Sequence, residues 1–381
     1  MIQSIYVNNF KSLRECRLDL DKLTCLVGLN GSGKSTLLQA CGFIAAVMAG
    51  KEESWLAERR WTWKDVCTQI PGENDSALLH FSVDFKPDKG SPVRWWCRYN
   101  AAQHRCTEER LYLSTDGQWD KAQTVLWLQN RRAVVAGKTL LMEQVYSGSV
   151  LSSLQDKHLT PECLAMRQAV SSLQAFDLLS PQGMRASSRI GQNVGLGADG
   201  GQIAAFIAAM SDKVKAKLLE CLQAFFPSVM GFRIRKKQGG YCELRIRQRF
   251  GTTEIETEAR QCSDGLLRVL GILAALHGPQ SLVCFDEIEN GISFDLTAAV
   301  ADELAASGKQ ILVTTHDMLL VNCLPQASVR LVVKKDGLTH VVPFNKVPVL
   351  LEKSKIFNAG DALLSMSLED ISQAALQAIS A

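Results

Sequence analysis

A chain of 381 residues allows two or three lobes at about 150 residues each. Apolar residues make up 46% and charged residues 21%, and 42 Lys plus Arg against 39 Asp plus Glu leave a formal charge of +3. Those figures exclude collagen-like, disordered and disulfide-scaffold classes, and they supply no general basic excess, so nucleic-acid binding would need a clustered patch.

In chain order, Ile2 to Phe10 reads as a strand, Leu18 to Leu23 as a polar, irregular connection, and Thr24 to Val27 as a short buried strand. Met1 to Ile5 lacks the basic and apolar regions of a signal peptide. Gly28-Leu29-Asn30-Gly31-Ser32-Gly33-Lys34-Ser35-Thr36 fits G-x-x-x-x-G-K-[ST], and a helix from Lys34 to about Met48 follows. In such a loop successive N–H groups and the positive helix start converge on phosphate, Lys34 reaches the β- and γ-phosphates, and Ser35 ligates Mg²⁺. Asn30 to Thr36 are therefore the candidate ATP-binding residues. The apolar stretch from Thr36 to Gly50 is too short for a membrane span.

Residues 51–150 carry all seven Trp among short alternating segments, which predicts an antiparallel β insertion with an aromatic core. The competing reading makes Arg94, Trp95, Trp96 and Arg98 a stacking surface for single strands. Residues 151–226 read as helical, broken at Pro161, Pro181 and Gly191 to Gly201. A hairpin over Gly231 to Glu258 turns at Gln238-Gly239-Gly240, and a second turn at Gly251 would set Arg245, Arg247 and Arg249 against Glu258, Glu256 and Glu254. Arg233, Arg235, Lys236 and Lys237 are unpaired in that scheme and are the candidate DNA contacts.

Ser263, Asp264 and Gly265 open an apolar helix to about His277. The start is either a second anion site or a plain N-cap. Leu282 to Phe285 is a buried strand that delivers Asp286 and Glu287 at its carboxyl end, where ligands bind in parallel sheets. Asp286 suits Mg²⁺, and Glu287 suits the orientation and deprotonation of an attacking water. Gln310 to Thr315 delivers His316, placed to hydrogen-bond a γ-phosphate. Twelve scattered cysteines show no zinc spacing and read as free thiols, so a cytoplasmic protein with no membrane partner is expected.

The four motifs in this order, with Asn9-Phe10-Lys11-Ser12-Leu13 and the Ser263 to Arg268 form S-D-G-x-x-R, resemble ABC-type ATPases of the SMC, RecF and OLD branch. The likeness is greatest to stand-alone bacterial AAA-family ATPases, some of which accompany a toxic or nuclease partner in anti-phage systems. Sustained heptads between Gly50 and Gln261 are missing, as is room after His316 for a TOPRIM nuclease domain.

The resemblance implies an α/β, ABC-ATPase-type P-loop fold with a mixed or parallel core sheet, an antiparallel β insertion and a helical signature lobe. The expected division is an ATP-binding core at 1–50 and 258–345, the insertion at 51–150, a helical and hairpin segment at 151–257 and a helical tail at 346–381. It also implies ATP and Mg²⁺ as cofactors and a homodimer or higher oligomer closing head to tail. One subunit would supply Lys34, Ser35, Asp286, Glu287 and His316, and the other Ser263 and Gly265. The glutamine that links the first lobe to Mg²⁺ in such proteins has no placed counterpart here, Gln129 and Gln144 being the candidates. An effector partner in phage defence is the leading role; direct DNA repair work, or a nucleotide switch with negligible hydrolysis, are the alternatives.

Overall fold

The computed structural model describes residues 1–69, 77–114, 118–129, 131–142, 145–177, 179–191 and 195–380. Its core sheet has six strands in the order Gln174–Phe176, Leu282–Phe285, Gln310–Thr314, Leu23–Val27, Val329–Lys335 and Leu338–Pro343. The first five run parallel and the last pairs antiparallel, which is the mixed sheet expected. Strand periodicity divides each strand between two cores. Leu26, Leu282, Cys284 and Leu312 face one, while Cys25, Val27, Val283 and Phe285 face the other.

The first core is closed by the helix Lys34–Ala49, buried on nearly every side. Beyond it lies an eight-stranded antiparallel sheet, in the order Cys16–Asp19, Ile2–Asn8, Leu78–Phe85, Val93–Asn100, Arg105–Leu113, Gln123–Gln129, Arg132–Val135 and Lys138–Leu141. The connection read as irregular is therefore partly a strand: Cys16–Asp19 pairs with Ile2–Asn8, its Cys16 and Leu18 facing inward. The second core holds the helices Ile203–Ala209, Asp212–Phe225 and Asp264–Leu276.

Three further expectations are corrected. Phe81, Trp95 and Tyr99 form the aromatic core, but of the seven Trp only Trp95 is fully buried, and the pleat turns its neighbour Trp96 to the opposite face. The proposed stacking surface is already engaged: Arg94 forks onto Asp84 at 2.6 and 2.8 Å and lies over Trp119, and Arg98 pairs with Glu108 at 2.7 Å. Within the stretch read as helical, Gln174–Phe176 is a strand of the core sheet.

The charged ladder forms in the expected register, Arg245 opposite Glu258, Arg247 opposite Glu256 and Arg249 opposite Glu254. The four supposedly unpaired cations are mostly not so. Arg235 lies 3.6 Å from Glu243, Lys237 also pairs with Glu243, and Arg233 lies 3.9 Å from Glu256. The overlooked partner is Glu243, which stands directly opposite Arg235.

Eleven cysteines are buried and Cys323 is exposed, all as free thiols. Among the described residues no helix is long and apolar enough to cross a membrane.

Glu52 is wholly enclosed at the start of the helix Glu52–Glu58. Burial raises its carboxyl from the ordinary 4.5 to about 7, against the backbone N–H groups of Glu52 and Gly148. A raised folded value means that this group's contribution to stability is present below the ordinary value and is lost as pH climbs through about 7. Glu52→Gln cannot ionise, so its advantage over wild type in thermal unfolding is expected to grow from about pH 5 to about pH 8.

Candidate nucleotide site

The turn Gly28 to Gly33 joins the buried strand Leu23–Val27 to the helix Lys34–Ala49, so the loop sits at the carboxyl edge of the parallel sheet. Gly33 adopts φ 109°, and a Cβ there would stand 2.1 Å from the Thr339 hydroxyl. That hydroxyl donates to the Ser32 carbonyl at 2.9 Å and lies 2.7 Å from Ser12 Oγ, tying the Asn9 to Leu13 segment to the loop. Lys34 Nζ donates to the Gly28 and Leu29 carbonyls at 2.8 and 3.0 Å. Burial lowers its pKa, opposed by the carboxylates of Asp286, Glu287 and Glu289. Ser32 is buried, Ser35 and Thr36 are half-buried, and Asn30 and Gly31 are exposed at the loop's tip.

Asp286 and Glu287 emerge from Leu282–Phe285 beside this loop. The Thr314 hydroxyl joins them, donating to Asp286 Oδ1 at 2.6 Å and accepting the Glu287 N–H at 2.8 Å. Burial raises the Asp286 carboxyl, hydrogen bonds from Thr314 and Ser35 work against that, and the charges of Glu287 and Asp177 add to the rise. Glu287 holds φ 45°, uncommon for a residue with a Cβ, and Asn290 Nδ2 donates to its carboxylate at 3.4 Å. His316 is exposed at the end of the neighbouring strand, its N–H donating to Glu289 Oε1 at 2.7 Å.

The signature residues occupy a separate place. Ser263 Oγ accepts the Leu266 N–H at 3.4 Å as an N-cap, Asp264 pairs with Arg185 at 2.5 Å, and a Cβ at Gly265 would stand 3.4 Å from the Gly291 carbonyl. Gln129 lies in the antiparallel sheet, in the strand beside Arg105–Leu113, and Gln144 lies outside the described residues. The strand next to Leu282–Phe285 is followed instead by Asp177, paired with Arg59 at 2.7 Å. Lys11 reaches Gln39 at 2.9 Å over the face of Trp61, its pKa lowered to about 8 by burial.

Asp177, Arg59, Thr314 and Thr339 were missed by motif reading, and Glu289, inside the Asp286 to Gly291 run, was given no role of its own. Only Glu289 and Thr314 carried a signal, since both stand within two residues of a recognised acid or histidine. The oxygen donors meeting here, a Ser35 hydroxyl bonded to the Asp286 carboxylate with Glu287 and Asp177 nearby, are the hard ligands that suit Mg²⁺.

Two family descriptions match the two ends of the chain. Residues 1–58 match "AAA ATPase domain", and residues 223–322 match "AAA domain, putative AbiEii toxin, Type IV TA system". No curated protein sequence matches the chain. Among solved structures, an Smc head bound to the C-winged helix domain of ScpA superposes with a TM-score of 0.55 at 15% identity, over 90% of this chain and 97% of that one. The Smc head from Pyrococcus furiosus, bound to the C-terminal domain of ScpA, gives 0.52 at 13% identity over 93% and 99%. The Smc head from Pyrococcus yayanosii gives 0.51 at 11% over 93% and 99%. ATPase-domain models thus match at both ends of the chain, and over nearly its whole length the chain has the fold of an SMC head.

Proposed function

We propose that the chain binds ATP with Mg²⁺ and hydrolyses it, and that two copies close head to tail on two nucleotides to control an effector protein, a nuclease or toxin, in anti-phage defence. The observation that carries this is the meeting of the Lys34–Ser35 helix start with Asp286 and Glu287 at one sheet edge. Loop N–H groups from Asn30 to Gly33 and the helix start bind the phosphates, with Thr36 extending that start. Lys34 exchanges its two loop carbonyls for phosphate oxygens. Ser35 and Asp286 would hold Mg²⁺, which when bound neutralises charge on the phosphates. Glu287 orients the attacking water and accepts its proton, and His316 donates to the γ-phosphate. Ser263, Asp264 and Gly265 of the second copy supply another helix start to the same phosphate.

All four motifs serve one nucleotide site, so the output belongs to a partner. The toxin-system description of the matching family and the ScpA domains seen on Smc heads support a partner-controlling role. Direct DNA binding is the weaker reading. Glu243 and Glu256 already pair with Arg233, Arg235 and Lys237, although Arg233 remains 69% exposed along its side chain and Lys236 is exposed. Light scattering tests the dimer: mass is expected to double with MgATP and revert after turnover. A chain that stays at monomer mass while saturated with nucleotide would overturn the reading.

A further inference from the structure

An apolar cavity of about 520 Å³ opens beside the tip of the phosphate loop, with Asn30 and His316 on its polar rim. Leu29, Met318, Leu331, Leu363, Leu364 and Met366 form much of its wall. It is open to the outside, since Leu364 is 68% exposed. Elsewhere on the surface, Phe294 is 75% exposed, more than any other aromatic side chain among the described residues. It begins the helix Phe294–Ala306, directly after the segment that carries Glu287 and Gly291. A Cβ built on Gly265 of the signature helix would stand 3.4 Å from the Gly291 carbonyl, so Phe294 belongs to the end of the molecule that presents the signature residues. A bare phenyl ring and an open apolar hollow are each unfavourable in water, and each borders one half of the nucleotide site.

We propose that Phe294 of one copy seats in the apolar cavity beside the phosphate loop of a second copy, so that two such contacts flank the two nucleotides. This rests on the head-to-tail dimer and names what fixes its seating. The size fits: an apolar cavity of about 150 Å³ takes benzene, so this one accepts a whole benzyl group with adjoining backbone. Two-fold symmetry makes the contact occur twice, one per site, and the rim residues Asn30 and His316 would lie at the edge of the same seam as the partner's signature helix. Buried aromatic anchors dominate interfaces of this kind, each worth at least about tenfold in affinity. Phe294 is thus a positioning residue, acting through dimer geometry rather than on the phosphates.

The test uses full chains carrying Glu287→Gln to hold ATP and Cys323→Ser to remove the exposed thiol. Phe294→Ala should weaken the MgATP dimer at least about 100-fold in sedimentation while the monomer binds ATP as before. Mixing chains bearing Phe294→Cys with chains bearing Leu364→Cys and adding a short bismaleimide should give a covalent dimer that requires both chains and MgATP. If MgATP dimers form normally, Phe294→Ala leaves their affinity unchanged and the mixed thiols do not link, the seating is wrong and the dimer stands. If the Glu287→Gln chain remains monomeric in MgATP, the dimer itself is wrong and the seating falls with it.

Discussion

Glu287→Gln is expected to reduce phosphate release by about 10²–10⁴-fold while leaving MgATP binding within a few-fold of wild type. The side chain stands at the end of a fully buried strand, and its left-handed backbone is pinned by the N–H bond to Thr314. Glutamine keeps the size and the hydrogen bond from Asn290 but cannot accept a proton from water. Lys34 would lose one of three carboxylates that offset its burial and keep the two others, Asp286 and Glu289, so the phosphate grip should survive. Single-turnover phosphate release and fluorescent-nucleotide titration, run side by side, separate the two effects. Comparable release by both proteins would remove Glu287 from the chemistry, and negligible release by both would favour a nucleotide switch.

The second large effect concerns stability. Glu109 is completely buried in the antiparallel sheet, where its carboxylate accepts hydrogen bonds from Trp95 Nε1 at 2.8 Å, Val150 N at 2.8 Å and the Ser149 hydroxyl. Burial raises its pKa, and these donors hold it down. Glu109→Ala deletes the acceptor and strands three donors inside, each costing about 1–3 kcal/mol when left unpaired. A total loss of about 3–5 kcal/mol is expected, allowing for relaxation. Glu109→Gln should lose less, because its amide oxygen still serves two of the donors. Urea midpoints at constant slope measure the difference, and an alanine variant within about 1 kcal/mol of wild type would show that the three donors find other partners.

The core strands were legible where a buried apolar run ended in chemistry, as at Val27, Phe285 and Thr314. Local order and local motif coincide there, because ligands bind at the carboxyl ends of parallel strands. The arginine and glutamate ladder was legible because alternation and a two-residue turn determine register together. The same counting would have placed Glu243 opposite Arg235 had it been carried across the first turn. Gln174–Phe176 was not legible, since three residues carry no period and become a strand only by lying beside Leu282–Phe285. Asp177, which follows it, and that residue's partner Arg59 were hidden for the same reason, being more than a hundred positions apart. Thr339 reaches the phosphate loop from the far end of the chain, a contact no local pattern announces.

The helix Lys34–Ala49 has 16 residues and so is about 24 Å long. Its first turn is the phosphate loop's own exit, and near its last turn the Val47 carbonyl accepts the N–H of Ser149, whose hydroxyl donates to Glu109. Encased on nearly all sides, it forms one continuous, buried connection between the phosphate loop and the polar hub around Glu109. Amide exchange at Ser149, Val150 and Leu151 is where nucleotide loading should register farthest from the phosphates.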